Sequence, residues 1–173
     1  MRQVDPARLI ACLFDVERHV SSLGWDQPTR LFALVPTGEL LEAEPLLRGR
    51  LPEGSPDSLS AVEQDEFVAG EDLKERLEGI TWPASVEGCA IALERSFLPR
   101  EREAEIPGDA TEGARFVAAH PERMDVRVVV GVLRDGSRHG LARLVSNPDE
   151  LLGAEDLVPG LTEALARTLE SDA

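Results

Sequence analysis

The 173 residues suffice for one domain that buries roughly 70% of the surface its unfolded chain would expose, so no disulfide or metal is needed to hold a core. Apolar content is 42%, but with five Phe, two Trp and no Tyr the core must be built from Leu, Val, Ile and Ala. A formal net charge of −15 repels phosphate backbones and anionic lipid, which argues against nucleic acid and membrane partners and favours a basic protein segment, a basic peptide or a cation.

The first predicted element is a helix in "DPARLIACLFDVERHVSSLG". Asp5 suits the cap and Pro6 the first turn. Leu9, Leu13, Val16 and Val20 form an apolar stripe, and Gly24 stops the helix. After the turn "GWDQPT", residues 30–35 ("RLFALV") read as a short strand. "TGELLEAEPLLRGRL" restarts as a helix limited by Pro45. Residues 51–60, rich in Pro, Gly and Ser, read as a flexible loop. Ser60 and Glu63 have capping-box spacing, which predicts a short helix opening there. "GEDLKERLEGI" predicts another, with Leu73 and Leu77 one turn apart.

Residues 86–98 ("VEGCAIALERSFL") read as a strand, and 99–109 as an exposed charged connection. Asp109 caps a helix in "DATEGARFVAAHP" that Pro121 ends. "DVRVVVGVLRDGSRHGLARLV" (125–145) is a hairpin about an Asp-Gly turn. A two-residue turn sets Val132 opposite His139; a slip of one residue sets His139 opposite Leu133. No element is assigned to 146–155. The last helix, "DLVPGLTEALARTLE", has Asp156 as cap and a stripe through Val158, Leu161, Leu165 and Thr168. The expected fold is α+β: one domain over 1–173, with a single antiparallel or mixed sheet of about four strands packed against the N- and C-terminal helices on one face.

Catalytic signatures are missing. Ser137 and His139 stand two apart on a strand, roughly 7 Å, too far for the direct bond a hydrolytic pair needs. His19, His120 and His139 are scattered, with no metal-ligand spacing, and there is no phosphate-binding glycine loop. The expectation is no metal and no cofactor. Lys74, the single lysine, sits between acids and is a poor Schiff-base candidate. Cys12 and Cys89 lie in apolar runs, no signal peptide opens the chain and no run is long enough to span a membrane. These point to free thiols in a reducing cytoplasm.

Some polar residues deserve a functional reading beside the structural one. Glu94 stands inside an apolar strand, and Arg127 and Arg143 inside the hairpin. They form either a cross-strand ion pair or, with His139, a polar pocket on the sheet's open face that holds a carboxylate. Trp25, beside Asp26, Gln27 and Arg30, either lids the core or anchors an interface. Two hypotheses follow. The favoured one is a non-enzymatic interaction or chaperone/adaptor-like protein, as a monomer or a homodimer, that engages a basic or extended segment through a sheet edge. The alternative is a small-molecule binder or enzyme with its site on the open face. The candidate site residues are Trp25, Asp26, Glu94, Arg127, His139 and Arg143.

The strings "GWDQPTRLFALVPT", "GITWP" followed by "VEGCA", "AAHPERMDVRVVVGVLRDGSRH" and "DLVPGL" resemble an actinobacterial family of small cytosolic proteins of unknown function, over nearly the whole chain. The resemblance implies no activity and transfers no residue role. The arrangement is also similar, by fold analogy alone, to small acidic secretion-chaperone-like domains.

Overall fold

A computed structural model describes residues 6–43, 58–67, 73–145, 147–155 and 157–170. In chain order these form α1 (Ala7–Ser22), β1 (Arg30–Pro36), α2 (Thr37–Ala43), β2 (Leu59–Glu63), α3 (Leu73–Glu78), β3 (Gly88–Phe97), a 3-10 turn (Arg100–Glu105), α4 (Ala110–Ala119), β4 (Met124–Leu133), β5 (Arg138–Leu144), β6 (Asn147–Ala154) and α5 (Pro159–Glu170). The strands make one antiparallel sheet in the order β2-β1-β3-β4-β5-β6. The α+β class is as expected, but the sheet has six strands rather than about four.

The two extra strands lie at the edges. Ser60 and Glu63 do not cap a helix. Ser60 Oγ bonds Thr37 Oγ1 at 2.8 Å, Glu63 pairs with Arg30 at 2.7 Å, and "LSAVE" runs as β2. With both capping groups engaged across the sheet, tertiary pairing overrides the local helix signal. Of the expected 51–60 loop, residues 51–57 lie outside the described residues, and Leu59 and Ser60 belong to β2. The expected helix beyond Ala43, the caps Asp5 and Asp156, and the side chain of Lys74 also lie outside them.

The terminal helices do not share a face. Leu9, Leu13, Val16 and Val20 of α1 pack on Phe32, Leu34, Ala90, Ala92, Val129 and Leu141. Leu161, Leu165 and Leu169 of α5 pack on Leu31, Cys89, Ile91, Val128 and Val130 from the other side. The central strands are therefore covered twice, which is why β4 reads as an almost unbroken apolar run rather than an alternation. Gly131 sits beneath α1: a Cβ there would fall 2.7 Å from Leu13 Cδ2, so the missing side chain lets the helix approach.

The hairpin register also differs from both expected alternatives. Val132 pairs with Arg138 and Gly131 with His139. Leu133 N donates to Ser137 O at 2.9 Å, and Gly136 N donates to Leu133 O at 3.1 Å. The loop thus holds Arg134, Asp135 and Gly136. Only Gly136 takes positive φ, at 95°, as in a three-residue turn closed by a left-handed glycine. Asp135 Oδ1 instead accepts the Ser137 amide at 2.8 Å. Asp109 caps α4 as expected, accepting Thr111 N at 2.9 Å.

Candidate functional site

Five of the six candidate residues meet at one end of the sheet, beneath the C-terminus of α1. Glu94, Arg127 and Arg143 stand side by side on β3, β4 and β5. An arginine directly opposite an arginine is repulsive, and a carboxylate from the layer above offsets it. Glu17 of α1 accepts Arg143 Nη2 at 3.0 Å and Ser21 Oγ at 2.6 Å. Burial pushes the Glu17 carboxyl up. The hydrogen bonds from Arg143 and Ser21, with the charges of Arg143 and Arg127, outweigh that and hold it below its ordinary value.

Arg127, only 2% exposed, is the centre. It donates to Ser21 Oγ at 3.2 Å, to the Gly24 carbonyl, and to Glu94 Oε2 at 3.5 Å. Its guanidinium carbon lies 4.4 Å from the Trp25 ring centroid, a cation–π stack. Glu94 in turn accepts the amides of Asp26 at 2.9 Å and Gln27 at 2.7 Å. Asp26 sits at φ 63°, a left-handed position that Asp tolerates. The cluster clasps the 24–27 turn and the end of α1 to the sheet. Its carboxylates and guanidiniums face one another and the backbone, under a helix rather than on an open face.

His139 stands apart. Its Nε2 would lie 3.2 Å from a Cβ placed at Gly153 of β6, and burial lowers its pKa. Among the described residues Ser137 Oγ is buried with no hydrogen-bond partner, so it does not bond His139. His120 Nδ1 accepts the Glu122 amide at 3.0 Å. Among the described residues no group of three or more His, Cys, Asp or Glu could hold a metal ion, and no helix is long and apolar enough to cross a membrane. Burial pushes both thiols, Cys12 and Cys89, up to about 12, so neither is a nucleophile near neutral pH.

The sheet's far edge has a different character. Among the described residues β6 pairs with β5 alone. Asp149, Glu150, Leu152 and Glu155 are exposed along it.

One family matches the sequence over residues 9–170: PPA1309-like protein. The chain belongs to this family. No curated protein and no solved structure matches it. The PPA1309-like family is uncharacterised, so membership assigns no reaction, and the reading rests on the geometry.

In this PPA1309-like chain the sequence reading missed Glu17, Ser21 and the β6 edge. Glu17 carried a readable signal: it follows Leu13 by four residues and Val16 by one, inside the buried stripe of α1. An acid there needs a cation beneath it. β6 carried almost none, since Pro148, two acids and Gly153 all disfavour a strand.

Proposed function

We propose that this PPA1309-like chain is a non-enzymatic interaction protein whose β6 edge takes up a basic, extended protein segment as an added strand. The observation that carries this reading is the β6 edge itself: among the described residues a strand paired on one side only, with Leu152 42% exposed and with Asp149, Glu150 and Glu155 exposed along it. Main-chain groups would supply the pairing, Leu152 an apolar contact, and the acids selection for Lys and Arg. The acids also discriminate. A second copy, itself at −15, would bring like charges to the edge, so a basic hetero-partner is favoured over a homodimer through β6. We place the protein in a reducing cytoplasm, where Cys12 and Cys89 stay free thiols.

The test uses a fluorescent peptide of alternating Arg and Val, with an alternating Glu and Val peptide as control, read by anisotropy. The Arg peptide should bind at low salt and weaken as salt rises. The double variant Glu150→Arg, Glu155→Arg should abolish binding. Equal binding of both peptides, or binding untouched by the charge reversal, would refute the reading.

A further inference from the structure

A second surface, on the sheet face that α5 covers, carries an inference independent of β6. Between α3 and α5 lies a cavity of about 340 Å³, within the range of small-ligand sites. Its floor is apolar: Leu77 and Leu161 are buried, with Leu73 and Val158 half-buried beside them. Its rim is cationic. Arg95, from the end of β3, and Arg167, from α5, both line it and are both exposed. Neither has a hydrogen bond or ion pair to any described residue, unlike Arg8, Arg30, Arg102, Arg123, Arg127 and Arg143; Arg18, Arg76, Arg115 and Arg138 are also without one, but they do not line this cavity. Glu163 shares the rim, leaving it one net positive charge.

Two unpaired guanidiniums above an apolar floor call for an anion that carries an apolar tail. An arginine fork matches a carboxylate, and buried leucines reward methylenes. We propose that this groove binds an aliphatic carboxylate, the head on Arg95 and Arg167 and the chain along Leu73, Leu77, Val158 and Leu161. Because the protein as a whole is acidic, the head group alone is not enough. Affinity must come from the chain, so acetate should not bind.

The groove offers a clean plug. Gly160 lines it, and a Cβ built there meets nothing within 4 Å. A phenylalanine at this position can enter the space without displacing backbone. The plug also separates this groove from a neighbouring cavity of about 500 Å³ against α4, which Arg95 lines as well.

The experiment is calorimetric titration of the full chain with hexanoate, octanoate and decanoate. Each added methylene should tighten binding about fourfold. Arg95→Gln should weaken decanoate at least tenfold, and Gly160→Phe should abolish its binding while the circular dichroism stays native. Failure of the wild type to bind decanoate overturns the proposal. So does affinity independent of chain length, or binding that survives Gly160→Phe. None of these outcomes bears on the peptide test at β6.

Discussion

Replacing Arg127 with Met tests what the buried clasp is for. The change removes two hydrogen bonds from a charged donor, to Ser21 Oγ and the Gly24 carbonyl, at about 1.5 kcal/mol each. It also removes the stack on Trp25, about 1 kcal/mol. Relief of the repulsion from Arg143, directly opposite, returns about 0.5–1 kcal/mol. The net cost is about 3 kcal/mol, which for 173 residues lowers Tm by about 6–12 °C. The ion pair with Glu94 contributes little to that sum. Its atoms are 3.5 Å apart, Glu94 is 22% exposed, and its carboxylate already holds two backbone amides. Such a pair is worth under about 1 kcal/mol. Urea unfolding of wild type, Arg127→Met, Glu94→Gln and the double variant, followed by tryptophan fluorescence, measures both quantities. A coupling energy of about 3 kcal/mol or more would mean the clasp is a buried ion pair after all. A cost below about 1 kcal/mol for Arg127→Met would mean it is not a clasp.

Three further outcomes follow from other parts of the molecule. Cys12 and Cys89, both buried with thiols pushed up to about 12, should resist a thiol reagent at pH 8 until urea unfolds the chain; labelling of the native protein would contradict their burial. His139 has a pKa below its ordinary 6.5 because burial disfavours the charged ring, so the unfolded chain binds the proton more readily. Its contribution to stability is complete above pH 6.5 and is lost as pH falls from there through the lower folded value; His139→Gln should flatten the slope, and a wild-type slope of opposite sign would refute the assignment. At Gly88 a Cβ would fall 2.2 Å from Val132 O, so Gly88→Ala must move backbone and should cost about 3 kcal/mol. Gly136→Ala is strained only by φ 95° in open space and should cost about 1 kcal/mol; equal costs in urea unfolding would show that contact, not conformation, had been misjudged.

The long elements were legible because their periods are strong. The α1 and α5 stripes, the β1 run and the Asp135–Gly136 turn all follow from spacing. The turn's register was not legible, since two- and three-residue loops both accept Asp-Gly, and only the φ of Asp135 decides between them. The double covering of the sheet is written in "VRVVVGVL". Val126, Val128, Val130 and Val132 account for one face, and Val129, Gly131 and Leu133 had no reason to be apolar unless a helix covered the other. Of the clasp, Glu94, Arg127 and Arg143 stood out as charges in apolar strands. Glu17 did not, because a helix carries acids freely, and only its spacing from Leu13 and Val16 on the buried stripe marks it as facing the sheet.

Glu17 also bears on the β6 edge. Arg143, held from above by Glu17, is the direct neighbour of Leu151 on β6. The ladder between β5 and β6 is irregular at this point, passing from Arg143–Leu151 to Leu144–Asn147. A bulge leaves local hydrogen bonds unmade, so β6 depends here on a fixed β5. Removing the Glu17 charge takes away the carboxylate that offsets the repulsion between Arg143 and Arg127. Glu17→Gln should therefore raise amide exchange in residues 147–154 well above the rise in β1 and β3, which lie on the far side of β4. The Arg-Val peptide, if it pairs with β6, should suppress that exchange. A uniform rise across the sheet would mean that Glu17 supports global stability and has no special hold on the edge.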